Sequence, residues 1–237
     1  MRKMEEGLDM FDSKYSDILT VILVVVIIAI IGLLGFWAYD VYTRNDANKD
    51  ALNAINEFED NLSNKNQTTT NNTTNNLVGN IAKPTVNGID TGGISNTTTS
   101  NGTVQTYQGF VMLGYIEIPK TGIKYPILAE TTKKSIEVAV AMYYGPGLNK
   151  PGNTVIVGHN YRNGMFFSDN AKIAVGDKIY ITDLDGNKVT YIVYNTYETT
   201  SEDAEYMSRD TNGAMEITIA TCTDDVQGRI VIWARAE

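Results

Sequence analysis

The sequence predicts a mostly β domain, a small closed or nearly closed barrel with short helices, preceded by one transmembrane helix and a disordered tether. Three observations carry that prediction. An uncharged apolar run extends from Ile18 to Tyr39. A polar tract without a single apolar side chain covers Ser63 to Asn76. From Tyr107 onward, short alternating segments are separated by Gly, Pro, Asn and Asp turns, the pattern of an all-β barrel.

Residues 1–17 form an N-terminal tail, expected to be cytoplasmic, and residues 18–39 the anchor. Those 22 residues at about 1.5 Å each reach about 33 Å, enough to cross the hydrocarbon core of a bilayer. A helix on the surface of a small domain is apolar on one face; this run is apolar all round. Trp37 and Tyr39 sit at one end, where amphipathic rings prefer the interface. The run exceeds the usual apolar region of a cleaved signal, and no small-x-small pattern follows at 35–40, so an uncleaved anchor is expected. Arg2, Lys3 and Lys14 on one flank against Arg44 and Lys49 on the other favour an inside N-terminus, which leaves the rest of the chain extracellular.

Residues 40–62 are expected to form a juxtamembrane helix, with Leu52, Ile55, Phe58 or Glu59, and Leu62 at helical spacing; a solvated stalk is the expected role. Residues 63–106 are an Asn/Thr-rich linker. Such a segment buries too little apolar surface to offset its ordering entropy and is expected to be disordered.

Residues 107–237 make up the globular domain, long enough to fold without disulfides. Strands are predicted at 113–118, 123–128, 154–157, 178–182, 188–194, 216–221 and 230–233, and 135–142 reads as helix or strand. Pro126 marks an edge or bulge. The Asp-Gly within Asp183-Leu184-Asp185-Gly186-Asn187 is a hairpin signal, which explains its alternating acids without a metal.

The net charge is −9 with an isoelectric point near 4.7. No Lys/Arg cluster breaks it, which argues against a nucleic-acid footprint. One Cys and one His are present. An intramolecular disulfide and a zinc site of several Cys/His ligands are therefore both impossible. No metal and no cofactor are expected. Any Cys/His chemistry belongs to Cys222 and His159.

Two strands joined by the six residues 223–228 place Cys222 and Arg229 side by side, within about 5.5 Å at the backbone. A cation beside a thiol favours the thiolate, the reactive form. A guanidinium can also donate to the oxyanion formed when sulfur attacks an amide carbonyl. His159 sits just past the buried segment 154–157, after Gly158, and opens a polar, Gly-containing loop, a place from which a side chain reaches a cleft. A Cys/His pair is a general solution to acyl transfer, imidazole handling the proton while sulfur attacks. Each residue also has an ordinary reading: a small buried thiol, a satisfied histidine, an arginine paired with Asp224 or Asp225.

The order of these residues resembles the sortase family. Its signature is a strand ending in Thr-Cys, an Arg on the next strand and a Gly-His upstream. Here these are Thr221-Cys222, Arg229 and Gly158-His159, with Thr218 one residue further upstream than the family's first threonine. Ile118-Pro119 and Gly176-Asp177-Lys178 are similar as well, and the resemblance spans about 107–237. It implies a sortase-like β-barrel cysteine transpeptidase, a membrane-bound thiol enzyme of cell-wall anchoring in Gram-positive bacteria. Cys222 would attack the sorting signal at the C-terminus of secreted proteins, His159 would move protons, and Arg229 would hold the carbonyl oxygen. Thr221 would help to bind substrate. The acyl acceptor would be an amine of a peptidoglycan precursor. Two alternatives stand beside this reading, a non-enzymatic surface β-domain and a pilus-assembling sortase.

Overall fold

A computed structural model describes residues 2–69 and 104–237 of the chain. Most of the expected linker, residues 70–103, lies outside the described residues. The chain divides into two compact units at Lys49/Asp50.

The first unit is the greater part of helix α1 (Arg2–Thr69). Every side chain from 18 to 39 is exposed. The helix is long and apolar enough to cross a membrane, with a mean hydropathy of 3.3 in its most apolar window.

The second unit contains the last turns of α1 and the β domain. The 51–62 stretch, expected to be solvated, is instead packed on the domain. Ala51, Ile55 and Phe58 are buried, and Phe58 meets Tyr115 edge-on at 6.1 Å. Met112 and Leu62 complete this cluster, and Lys124 pairs with Glu59 at 3.1 Å. The apolar spacing that makes this a helix also gives it a face to bury. Each large side chain covered in this way contributes roughly 1.5–3 kcal/mol.

The strands are β1 (Thr106–Tyr107), β2 (Phe110–Ile118), β3 (Ile123–Leu128), β4 (Val140–Tyr144), β5 (Gly152–Val157), β6 (Lys178–Asp183), β7 (Lys188–Thr200), β8 (Met215–Cys222) and β9 (Gly228–Ala236). The short α2 (Lys133–Ile136) precedes β4, so 135–142 resolves into a helix end followed by a strand. Their order in the sheet is β1-β2-β3-β4-β5-β8-β9-β7-β6, and β2 pairs with β6. That last pairing closes β2–β9 into a barrel, as the sequence predicts. Gly114 makes the closure possible. Its φ is +150°, and a Cβ there would lie 2.0 Å from the Thr182 carbonyl oxygen. β3 meets β4 only at Ile127 and Leu128, so Pro126 stays outside that ladder.

Inward-facing Ile116, Ile127, Ile156, Ile181, Ile219 and Ile232 fill the barrel with alternating β-branched side chains, as the period-two pattern requires. At the β6–β7 hairpin, Asp183 Oδ1 accepts the backbone N–H groups of Asp185 and Asn187, each at 3.0 Å. That aspartate serves a turn. β7 runs six residues beyond its predicted end, and the connection from β7 to β8 folds back over the outer face of β5, β8 and β9.

Candidate active site

The site forms where β5 stops and β8 continues. The two strands are parallel neighbours, in register from Gly152 opposite Met215 to Val157 opposite Ala220. Beyond Val157 the chain turns away, and Gly158 marks the departure. A Cβ on it would come within 2.8 Å of both Phe167 and Val140, so only glycine fits between them. His159 follows. Its carbonyl accepts the Phe167 N–H at 3.1 Å, and its ring lies 4.9 Å from that of Tyr161. Burial holds its imidazole below the usual histidine range, against an opposing pull from the Glu137 carboxylate.

β8 and β9 pair as an antiparallel hairpin, with Cys222 opposite Arg229. Arg229 Nη1 lies 3.5 Å from Cys222 Sγ and donates to the Gly228 carbonyl at 3.0 Å. The thiol is free and half-buried. The carboxylates that might have claimed Arg229 are engaged elsewhere. Asp224 accepts from Asn160 at 2.8 Å. Asp225 accepts from the Thr223 hydroxyl and the Gln227 N–H inside the turn.

A cavity of about 430 Å³ brings His159, Thr221, Cys222 and Arg229 together. Thr221 is only 3% exposed, and its hydroxyl donates to the Gly158 carbonyl at 2.8 Å. Thr218 stands apart from the cavity; it is buried and bonded to Asn153 Oδ1 at 2.8 Å.

The far wall of the cavity is the β7–β8 connection at 201–207, to which no sequence motif points. It is bolted to the barrel. Asn153 donates to the carbonyls of Tyr206 and Met207, both at 3.0 Å. Arg209 reaches Glu216, Tyr194 and Asn153, and its guanidinium lies 4.7 Å from the Trp233 ring. Glu216 is 1% exposed. Burial alone would raise its pKa, but hydrogen bonds from Arg209, Tyr194 and Arg235 outweigh that and hold it below the usual carboxylate range. A buried Glu one residue into a strand was the available signal, because such a group demands partners.

The family model for the sortase domain matches residues 116–237. The chain belongs to the sortase family. It is 33% identical over 112 residues to Sortase A of Bacillus anthracis, covering 47% of this sortase and 52% of that protein. The chain thus spans about half the length of the curated relative it matches. Among solved structures, a lid mutant of Sortase A from Corynebacterium diphtheriae is similar with a TM-score of 0.50 and 25% identity, over 54% of this chain and 71% of that one. A Clostridium perfringens Sortase D5 transpeptidase gives a TM-score of 0.49 and 26% identity, over 54% and 79%.

Proposed function

We propose that this sortase is a cysteine transpeptidase that cleaves a C-terminal sorting signal of secreted proteins and joins the product to an amine of a peptidoglycan precursor. The single observation that supports it best is the 3.5 Å approach of Arg229 Nη1 to Cys222 Sγ, in the cavity that His159 also lines.

The chemistry follows from those positions. His159 takes the Cys222 thiol proton as Sγ attacks the carbonyl carbon of the scissile peptide bond, and the carbonyl π electrons move onto oxygen. Arg229 donates to that oxyanion, a stabilisation that preorganised donors provide because they need no reorientation at the moment of reaction. Collapse expels the amine of the downstream fragment, which takes a proton from His159. The upstream fragment stays on sulfur as a thioester. An incoming amine then gives a proton to His159 and attacks the thioester carbon, and the departing sulfur takes that proton back to regenerate the Cys222 thiol. Thr221 contributes to the substrate-binding wall beside the nucleophile.

The apolar stretch of α1 would anchor the enzyme as a single-pass membrane protein with the β domain outside the cell, where secreted proteins and wall precursors meet. The test uses the full chain in detergent micelles, a peptide library with sorting-signal-like motifs, and a primary-amine acceptor. Ligated product with the wild type and none with Cys222→Ala is expected. No product from any peptide, or equal product from both chains, would overturn the reading.

A further inference from the structure

Asn160 follows His159 directly, and the mechanism above gives it no role. It is 8% exposed. Its Nδ2 donates to the Cys222 carbonyl at 3.0 Å and to Asp224 Oδ1 at 2.8 Å, while its Oδ1 accepts the Arg162 N–H at 3.0 Å. Those three partners fix the amide's orientation. Flipping it would set oxygen against two oxygens and an amine against an N–H.

The place of these bonds in the sheet gives them meaning. Ala220 and Cys222 are two residues apart on β8, so their carbonyls face the same edge of the strand. The Gly158 N–H reaches the Ala220 carbonyl at 3.4 Å, the last backbone contact from the β5 side. By the Cys222 carbonyl, β5 has already turned away to present His159. The Asn160 side chain supplies the missing rung. Between the two, the Thr221 hydroxyl donates to the Gly158 carbonyl. The residues on either side of His159 are therefore both bonded to the Thr221-Cys222 dipeptide.

We infer that Asn160 is a positioning residue that sets His159 relative to Cys222 by extending the β5–β8 ladder one rung past the end of β5. It touches neither substrate nor reacting atoms. This rests on the transpeptidase reading for its kinetic consequence, but not for its structural one. Acyl transfer depends steeply on geometry, and displacement by about 1 Å costs about 100-fold. Asn160→Ala frees the Cys222 carbonyl and the His loop from each other. Asn160→Asp keeps the shape and the bond from Arg162 but cannot donate to Cys222.

The experiment measures kcat and KM of the full chain in micelles for wild type, Asn160→Ala and Asn160→Asp, normalised to Cys222 titrated with a thiol alkylator. It also follows the His159 imidazole by NMR, unambiguous because the chain has one histidine. Both variants are expected to lose about 10- to 100-fold in kcat per titrated thiol, with KM within about 2-fold. The imidazole signal of Asn160→Ala is expected to move or broaden. Asp224→Ala, which leaves the bond to Cys222 in place, should lose only a few-fold. An unchanged kcat per thiol in both variants, or an imidazole signal identical to wild type, would overturn the inference. If the wild type ligates nothing, the transpeptidase reading fails, while the imidazole signal still decides whether Asn160 positions His159.

Discussion

The two ends of β8 treat their polar groups in opposite ways. Near its start, Glu216 is 1% exposed and surrounded by Arg209, Arg235 and Tyr194, with bonds of 2.6 Å to Arg235 Nη2 and 2.7 Å to the Tyr194 hydroxyl. At its end, Cys222 is half-buried, and Arg229 approaches its sulfur at only 3.5 Å. One end saturates a charge and stabilises the strand; the other leaves a thiol accessible beside a guanidinium. Five residues of strand separate the two tasks. The comparison teaches that the barrel invests its strong interactions away from the chemistry and holds the reactive group by backbone register.

That separation can be broken at either end. Removing the thiol should have the largest effect: Cys222→Ala is expected to lower ligation by about 1,000-fold or more. Thermal unfolding should show a stability change below about 1 kcal/mol. A large loss of stability would mean that Cys222 is a packing residue.

Glu216→Gln should do the reverse. It leaves Arg209 without its counter-charge beneath the cavity wall, and breaking a buried pair in this way costs about 3–5 kcal/mol, measurable by urea unfolding. The depressed pKa of Glu216 fixes the sign of its pH dependence. Its stabilisation is complete above the usual carboxylate range and is lost as pH falls through the lower folded value. Acid unfolding of Glu216→Gln should accordingly be shallower than that of wild type. An identical acid profile would contradict the account.

Arg229→Ala is expected to lower kcat by about 100- to 1,000-fold, the usual cost of removing an oxyanion donor. Fold stability should change little. An effect confined to KM would sharpen the comparison differently, making Arg229 a binding group.

The smallest expected effect concerns His159. Its NMR titration midpoint should lie below 6.5, because burial disfavours the imidazolium. Between its ordinary and its folded midpoint, lowering the pH should cost stability, since the unfolded chain binds the proton more readily. A midpoint above 6.5 would show that a charged partner outweighs burial.

How much of this was legible in the sequence depended on how local each signal is. Cys222 and Arg229 face each other because two strands and a short turn are a local object, and spacing alone determines the pairing. The closed barrel was legible in alternation and turn chemistry. His159 was legible as the residue after a buried strand, although its approach to β8 is a tertiary fact. The hidden features all rest on side-chain contacts between distant segments. Asn160 reaches across 62 residues to the Cys222 carbonyl, and Asn153 across 53 to that of Tyr206. No spacing rule announces such bonds. The packed end of α1 was half legible: Ile55 and Phe58 showed an apolar face, but periodicity does not name the surface that covers it.

The central claim is that Cys222 is the nucleophile of a site assembled with His159 and Arg229. Its most direct measurement is the intact mass of the full chain, acid-quenched during turnover of a cleaved peptide and then mapped by proteolysis. The account predicts a covalent adduct on Cys222 equal in mass to the upstream peptide fragment less one water, diminished by Arg229→Ala and removed by added amine. An adduct on another residue, or turnover that persists in Cys222→Ala, would contradict it.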